Sequence, residues 1–403
     1  MVTASGTAPR RRRVAILLLF CGALVVTPFV AEIQNIDFHK AYHPAGKRLL
    51  DGEAPLYSYG GFKNLPLVAY LFVPFAAMGE RAADAFVVAQ LWVYLVAFAT
   101  CLRFLSRSAR EDWLWLALFL SSRAFYSCLR FGQITLLCFL LLVGFAVAYE
   151  RARPYTAGVL HGLGFAIKLP LGLFFLYFPY RRRYKTLAAS LLTCLGVLSI
   201  SLLYFGVALH REYVQVAIVD NLGATLTGHN NASLAASALR FLRPDRLFDW
   251  YMVDVPVPLQ LAIAAVVALL LYGFYRVTSS GAMRGQLAQR LELSMVVCLS
   301  LSVLPIVWDH YYVFLILAFH FSLQALLHGR TRGRALAWLS AFALCNFPVL
   351  AVMRATVGPT DFPLLRAAVP AAPLLGCLTL LALLMAQYRA LQADSAQALA
   401  SSA

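Results

Sequence analysis

Long apolar runs separated by short polar segments are the dominant pattern of this chain. The first apolar run extends from Val14 to about Ala31, close to the roughly 20 residues that a helix needs to cross a bilayer. Further runs of helical length follow at about 81–105, 112–129, 133–149, 186–209, 257–277, 290–307, 311–327, 334–353 and 366–388. This pattern predicts an all-α, polytopic membrane protein, with the first helix retained and its N-terminus inside.

A shorter apolar stretch, residues 64–79, follows the first predicted helix and contains Pro66 and Pro74. It is too short and too rich in proline to read as a full span. We therefore expect an interfacial or re-entrant helix here, belonging to a first outer loop that begins at residue 32.

The apolar stretch 155–180 is too long for one span and is interrupted by Lys168-Leu169-Pro170. Proline lacks a backbone donor and disfavours helix at the residue before it. We expect two short helices, 155–167 and 170–180, which meet at the outer face. With this interruption the chain has about twelve membrane passes.

Basic residues are concentrated in alternate loops, as the positive-inside rule requires of cytoplasmic loops. The clusters are Arg10-Arg11-Arg12-Arg13, Arg107 and Arg110, Arg151 and Arg153, Arg181-Arg182-Arg183 with Lys185, Arg284 and Arg290, and Arg330, Arg332 and Arg334. We predict that both termini are cytoplasmic and that loops 32–64 and 210–256 lie outside. Residues 1–388 would form a single transmembrane domain, and 389–403 a flexible cytoplasmic tail.

Composition supports a membrane protein. The 403 residues are 61% hydrophobic and 13% charged, whereas soluble domains carry about 25% charge. A net charge of +16 can indicate nucleic acid, but here the basic residues lie between apolar runs, so we expect membrane lipids as partners and no nucleic acid. The eight cysteines lack CxxC spacing, and no P-loop, GxGxxG or HExxH motif is present. We expect no metal and no cofactor.

The first gathering of polar chemistry follows the first apolar run. Asp37 lies about five residues past the predicted membrane edge, and Tyr42, His43 and Lys47 come soon after it. A carboxylate at this position can act as a general base on a substrate held at the lipid surface. The alternative is that Asp37 only begins a loop or caps a short helix.

Cations inside apolar stretches are the second candidate feature. A lysine near the bilayer centre, such as Lys168, costs about 2.5–3.5 kcal/mol on insertion scales, so it either snorkels to the surface or binds an anion such as phosphate. Arg123 and Arg130 are seven residues apart and can share a helix face, and arginine binds phosphate in a forked geometry. The alternatives are that Arg130 anchors a helix end and that Gln133 forms a structural hydrogen bond.

Two later segments combine polar and aromatic residues. Trp308-Asp309-His310-Tyr311 places an acid and an imidazole in a predicted external turn, where aromatics alone would form an interface belt. Asn230-Asn231 lies in the long outer loop, and its amides suit sugar hydroxyls, although a turn or helix cap explains such a sequence equally well.

Taken together, these segments resemble the polyprenol-phosphate-mannose-dependent mannosyltransferases of glycosyltransferase family 87. The matching residues are Asp37-Phe38 with Tyr42, Ala45, Leu50, Gly52, Pro55 and Tyr57; Leu65-Pro66-Leu67 with Pro74; Gly132-Gln133; Lys168-Leu169-Pro170; Asn230 with Ser233-Leu234; and Pro305 with Trp308-Asp309-His310-Tyr311. They follow the family's order from about residue 32 to 312. The chain departs from the family pattern at Asn231, where glutamine is expected, and between Phe62 and Pro66.

The resemblance implies a GT-C-type helical bundle and an inverting sugar transfer, most simply of mannose, from a polyprenyl-phosphate donor to a hydroxyl of a glycolipid or polysaccharide on the outer face of the cell membrane. Asp37 would be the base, and Lys168, His310 and Arg130 would bind the donor phosphate. Sugar and acceptor contacts are expected from Tyr42, His43, Gln133, Asn230, Asn231, Asp309 and Tyr311. The alternatives are a flippase for a lipid-linked sugar and the same transfer with an arabinofuranosyl donor.

Overall fold

A computed structural model of the chain describes residues 7–30, 32–53, 56–57, 61–243, 251–279, 285–329, 331–356 and 367–402. Of the residues used above, Pro55, Arg284 and Arg330 lie outside these ranges. Within these ranges the regular secondary structure is helical, apart from one antiparallel pair of short strands. The strands are β1 (Ala224–Leu226) and β2 (Met252–Asp254), and Thr225 is paired with Val253.

The α-helices, numbered in chain order, are α1 Thr7–Val30, α2 His43–Asp51, α3 Val73–Ala76, α4 Ala82–Thr100, α5 Ala109–Ser121, α6 Arg123–Phe131, α7 Thr135–Glu150, α8 Pro154–Ile167, α9 Phe174–Tyr180, α10 Tyr184–Ala217, α11 Leu234–Leu242, α12 Val257–Thr278, α13 Gln286–Val303, α14 Leu315–His328, α15 Arg332–Cys345, α16 Val349–Thr356 and α17 Ala372–Ser402. Short 3₁₀ segments are Pro66–Phe72, Gly79–Arg81, Leu169–Leu171, Val219–Asn221, Asp309–Phe314 and Val369–Ala371, and π-helical turns are Phe38–Tyr42 and Cys101–Leu105. A helical architecture was predicted, and the described residues have it.

Six helical segments of the described residues are long and apolar enough to cross a membrane. They are Arg10–Phe29, Gly79–Leu105, Tyr184–Asn221, Val257–Thr278, Asp309–His328 and Val369–Gln397. Pro66–Ala76, Thr135–Glu150 and Leu169–Tyr180 are apolar but shorter. The chain is therefore a helical membrane protein, and the count of twelve passes stays a prediction.

Two helix boundaries differ from the sequence expectation. The predicted span 112–129 is divided at Ser122, whose backbone is extended and whose hydroxyl accepts a hydrogen bond from the Phe125 N–H at 3.4 Å. Serine ends one helix and caps the next because its side chain replaces a missing backbone acceptor. At the other end of the chain, α17 continues to Ser402 where a flexible tail was expected, because alanine and glutamine favour helix.

The predicted interruption at Lys168 is present. Helix α8 ends at Ile167, Lys168 has an extended backbone with φ −157° and ψ 130°, and a 3₁₀ turn over Leu169–Leu171 precedes α9. Pro170 lacks the backbone N–H that would continue α8 beyond this point, so the helix ends before it. Lys168 therefore lies at a helix end rather than within a continuous helix.

Contacts divide the chain into two compact units, and the single transmembrane domain stays a prediction. The first unit comprises Met1–Leu169 and Phe178–Asp220. Its helices pack around a buried aromatic group in which the rings of Tyr94 and Phe125 are stacked 3.8 Å apart. At the start of α1, Arg12 and Arg13 pair with the fully buried carboxylate of Asp112.

The second unit comprises Pro170–Tyr177 and the chain from Asn221 onward. Helices α13, α14, α15 and α17 form its core. A buried carboxylate, Glu292, accepts hydrogen bonds there from the hydroxyls of Tyr177 at 3.0 Å and Tyr388 at 2.6 Å. The strand pair and α11 pack beside α12 through Leu239 and Val255.

Candidate active site around Asp37

Asp37 lies in a segment that is fixed to the end of α6. The backbone N–H groups of Gln34 and Asn35 both donate to the Arg130 carbonyl, at 3.0 and 2.8 Å. Asp37 then immediately precedes the π-helical turn Phe38–Tyr42, which continues into α2. Single π turns are rare and occur frequently at functional sites. Asp37 therefore lies in the segment that connects α1 to α2, beside the end of α6.

Gly132 allows the Asp37 segment to approach α6 closely. It ends α6 in the left-handed region with φ +69°, where a residue with a Cβ is strained. A Cβ at this position would also lie 2.7 Å from the Phe38 Cβ and 3.0 Å from the Asn35 Oδ1. The glycine therefore makes room for the loop and places the next residue, Gln133, beside Asp37.

Gln133 connects the two charged residues of the site. Its buried amide nitrogen donates a short hydrogen bond to Asp37 Oδ2, and its Oε1 accepts from Lys168 Nζ at 2.8 Å and from the Tyr42 hydroxyl at 3.0 Å. Lys168 also donates to the Thr135 hydroxyl at 2.9 Å. The structure thus brings together Asp37, Tyr42, Gln133 and Lys168, four residues that the sequence predicted for the site.

Burial raises the pKa of Asp37, while the hydrogen bond from Gln133 and the charges of Lys168 and Lys40 lower it; the net pKa lies above that of an ordinary carboxyl group. Desolvation disfavours the charged form, and neighbouring cations only partly restore it. A carboxylate with a raised pKa accepts a proton more readily than a solvent-exposed one, which suits a general base.

Aromatic stacking and one asparagine hold the loop in place. The Tyr42 ring is stacked on Phe72 at 4.5 Å between centroids, and Phe38 on Phe86 at 4.6 Å. The Asn64 side chain donates to the carbonyl of Ile167, the residue before Lys168, at 2.7 Å. Sequence reasoning missed Asn64, although a polar residue directly before an apolar Leu-Pro-Leu stretch was a usable signal.

The other predicted residues of the first unit are Arg130, Arg123 and His43. Arg130 pairs with the exposed Glu32 carboxylate at 3.3 Å, and its buried Nε has no hydrogen-bond partner among the described residues. Arg123 is the first residue of α6. The His43 ring lies 5.6 Å from the Phe38 ring, and burial together with the positive charges of His39 and Lys47 lowers the pKa of His43.

The remaining predicted residues lie together in the second unit. Asn231 pairs with Trp308 in an isolated antiparallel bridge, and the Asp309 N–H donates to the Asn230 carbonyl at 3.0 Å. The His310 side chain is buried, its Nδ1 is 3.8 Å from Asp309 Oδ1, and its ring meets that of Tyr311 edge to face at 4.9 Å. Two segments that are distant in sequence are therefore neighbours here.

The side chain of Asn231, which was predicted to contact the sugar or acceptor, is bonded within the protein. Its amide nitrogen donates to the Thr225 hydroxyl at 3.2 Å and the Leu226 carbonyl at 2.8 Å, and its Oδ1 accepts from the N–H groups of Ser233 at 3.2 Å and Val307 at 2.9 Å. These bonds use both donors and both lone pairs of the amide. The fully buried side chain is thus a structural bridge, and its contact with a sugar stays a prediction.

Arg240 on α11 is a structural residue that the sequence did not reveal. Its guanidinium is fully buried and donates to the carbonyls of Thr227, Gly228 and Asn231 at 3.3, 3.1 and 2.9 Å. It therefore fixes the loop that carries Asn230. An arginine in a weakly amphipathic helix looks like a solvated residue, so the sequence held no distinguishing signal.

Within the described ranges, no three His, Cys, Asp or Glu side chains gather where they could hold a metal ion. The nearest partners of the Asp37 carboxyl group are an amide and ammonium groups. This arrangement can accept a proton and stabilise an anion.

Comparison with known proteins relates the chain to one enzyme family. The sequence profile of glycosyltransferase family 87 matches residues 62–306. A polyprenol-phosphate-mannose-dependent alpha-(1-2)-phosphatidylinositol mannoside mannosyltransferase of Mycolicibacterium smegmatis is 29% identical over 68% of this chain and 67% of its own length. The protein of that name from Mycobacterium tuberculosis is 28% identical over 82% and 80%.

A third relative is a polyprenol-phosphate-mannose-dependent alpha-(1-2)-phosphatidylinositol pentamannoside mannosyltransferase of Mycolicibacterium smegmatis, 26% identical over 82% of this chain and 80% of its own length. No solved structure matches the chain significantly. The profile match covers more than half of the chain and includes Gln133, Lys168 and Asn230.

Proposed function

This chain belongs to glycosyltransferase family 87, and from that premise we propose that it transfers mannose from a polyprenyl-phosphate donor to a hydroxyl of a phosphatidylinositol mannoside or similar glycolipid. Its membership makes it a glycosyltransferase. The names of the three relatives support mannose as the sugar and a polyprenyl phosphate as its carrier. The same names support the acceptor class.

In the proposed reaction Asp37 takes the proton of the acceptor hydroxyl as its oxygen attacks the anomeric carbon of mannose. The bond from that carbon to the phosphate oxygen breaks, and its electron pair leaves with the polyprenyl phosphate. Attack opposite the leaving group inverts the configuration. The raised pKa of Asp37 supports this role, and positioned base catalysis contributes about 10² to 10⁴ in rate.

Lys168 stabilises the departing phosphate, whose negative charge grows as the bond breaks. Its ammonium group lies one amide away from Asp37, so the base and a counter-charge for the leaving group belong to one hydrogen-bonded group. This group is the observation on which the proposal chiefly depends. The sequence also predicts Arg130 and His310 as phosphate-binding residues, and Asn230, Asp309 and Tyr311 as residues that bind the sugar or acceptor.

We place the reaction at the outer face of the cell membrane, in a polytopic protein with about twelve passes and cytoplasmic termini. Apolar helices of spanning length and the alternate basic loops support this arrangement. A lipid-linked donor suits that face, because it does not depend on cytosolic nucleotide sugars.

The test is incubation of the purified protein with a polyprenyl-phosphate mannose and phosphatidylinositol mannosides, followed by mass spectrometry of the lipids. We expect an acceptor heavier by one hexose, and no product from Asp37→Asn at equal expression. Absence of product from the wild-type protein would overturn the proposal, and normal turnover by Asp37→Asn would remove Asp37 from the mechanism.

Two further measurements test the alternatives, a flippase and an arabinofuranosyl transferase. Movement of a labelled lipid-linked sugar across vesicles without sugar transfer would indicate a flippase. Product formed from an arabinofuranosyl donor but not from the mannosyl donor would change the sugar and keep the reaction class.

A further inference from the structure

We propose that Gln133 is a positioning residue that aims the Asp37 carboxylate and keeps Lys168 from forming a direct ion pair with it. This inference rests on the proposed function, in which Asp37 must remain basic while Lys168 remains available to the donor phosphate. Gln133 was predicted to contact the sugar or acceptor, and the geometry points to a different task.

The orientation of the Gln133 amide is dictated by its neighbours. An ionised carboxylate only accepts hydrogen bonds and an ammonium group only donates them, so the amide N–H must face Asp37 and the oxygen must face Lys168. Oε1 accepts from both Lys168 and Tyr42, which fills its two lone pairs. Gln133 therefore separates the two charges while bonding to each.

The backbone around Gln133 fixes this position. Its N–H donates to the Cys128 carbonyl at 2.8 Å, and its carbonyl accepts from the Gln90 side chain at 3.0 Å. The preceding Gly132 forms the left-handed end of α6. A side chain anchored in this way cannot move aside without breaking several buried hydrogen bonds, which are costly to leave unmade.

The separation has a consequence for proton transfer. A carboxylate in direct contact with a cation loses about 1–3 units of pKa and becomes a weaker base. The ionised groups that face Asp37 are Lys168 and Lys40, and the groups around Lys168 include Thr135, Cys128 and Cys138. With the neutral amide between them, burial still dominates and the pKa of Asp37 stays raised.

Two substitutions should shift the pH dependence of mannosyl transfer in opposite directions. Gln133→Glu keeps the acceptor for Lys168 but places a second carboxylate against Asp37, so we expect the acidic limb of the kcat profile to move up by about one pH unit or more. Gln133→Ala removes a hydrogen bond that lowers the pKa of Asp37, but it also opens the space for a direct Asp37–Lys168 pair. Because a cation in direct contact lowers the pKa of a carboxyl group by about 1–3 units, we expect the limb to move down. Both variants should lose at least about tenfold in kcat.

The matched controls are Gln392→Glu and Gln392→Ala on α17, where the side chain donates to the Val277 carbonyl at 3.2 Å. Both control variants should keep the wild-type dependence of kcat on pH. If Gln133 had a purely structural role, its substitution would lower thermal stability and yield but leave the acidic limb of the kcat profile in place. That result would overturn the inference, and so would a shift of the acidic limb in the same direction in both variants. Gln133→Ala keeps the test open if Gln133→Glu does not fold.

The wild-type protein and Asp37→Asn, assayed in parallel, separate this inference from the proposed function. Transfer by the wild type and none by Asp37→Asn would support the reaction whatever Gln133 does. No transfer by the wild type would instead remove the proposed function, and the inference with it.

Discussion

At the scale of single residues, the Asp37 carboxyl group is held in a state that favours its protonated form. Burial outweighs the neighbouring cations and the Gln133 hydrogen bond, so the pKa of Asp37 is raised. The group therefore ionises at higher pH in the folded protein than in the unfolded chain. Ionisation of Asp37, which its role as a base requires, therefore lowers the free energy of unfolding as pH rises through that pKa.

The pH dependence of mannosyl transfer should reveal this group. Because only ionised Asp37 accepts the acceptor proton, we expect kcat to fall as pH decreases through a value above about 3.9, the ordinary pKa of an aspartate. The measurement is kcat against pH at saturating donor, with stability checked at each pH. An acidic limb at or below the ordinary value would contradict the raised pKa.

Asn231 and Asn230 should respond differently to truncation. Asn231→Ala leaves the buried N–H groups of Val307 and Ser233 without their acceptor, so we expect a loss of about 2–4 kcal/mol in unfolding free energy. Asn230→Ala should leave stability nearly unchanged, since the Asn230 Oδ1 has no hydrogen-bond partner among the described residues. Thermal unfolding in detergent compares the two. Equal stabilities would contradict the structural role of Asn231.

The sequence allowed Asp37 and Lys168 to be chosen because each is conspicuous against its surroundings: an acid just beyond an apolar run and a lysine inside one. It did not reveal how Gln133 is used, because an amide looks the same whether it faces a sugar or two charged side chains. Which of these roles the amide has depends on the groups that lie next to it in the folded protein. For the same reason the sequence left Asn231 open between sugar contact and turn, and gave no sign of Arg240.

At the scale of helices, the end of α6 controls the geometry of the site. Gly132 combines a left-handed backbone with close contact to Phe38 and Asn35. The start of α6 did not follow from hydropathy, because residues 112–129 form one apolar run overall, although Ser121-Ser122-Arg123 interrupts it with polar residues. The break at Lys168 was predictable, because Pro170 lacks the backbone N–H that a continuous helix would need.

Substitution of Gly132 tests whether this close approach matters for transfer. We expect Gly132→Ala to lose both stability and most of the activity, because the new Cβ would overlap the Phe38 Cβ and push the Asp37 segment away. Gly79→Ala is the matched control: its φ is +58°, but no atom lies within 4 Å of the added Cβ. Gly79→Ala has in common with Gly132→Ala only the backbone strain of a side chain at positive φ, about 1–2 kcal/mol.

Kinetic and thermal measurements on the two glycine variants separate these effects. Gly79→Ala should be somewhat less stable than the wild type and retain transfer. If Gly132→Ala kept wild-type kcat, the approach of the 35–38 segment to α6 would not be needed for catalysis.

At the scale of the whole molecule, apolar content and charge distribution specified a helical membrane protein, and the six apolar helices of spanning length agree with that class. The division into two compact units was not predictable, because it depends on which helices share contacts rather than on the hydropathy of each. Each unit carries part of the predicted site: Asp37 and Lys168 lie in the first, and His310 in the second.

The sidedness of the membrane protein is the last prediction. The first outer loop and the basic loop before α10 should lie on opposite sides, because lysine and arginine are retained in the cytoplasm. We expect Lys47→Cys, at an exposed position of α2, to react with a membrane-impermeant maleimide in intact cells. Lys185→Cys, exposed at the start of α10, should react only after permeabilisation. The wild-type protein, with its eight native cysteines, is the control for background labelling. The reverse pattern would place Asp37 on the cytoplasmic side and rule out transfer at the outer face.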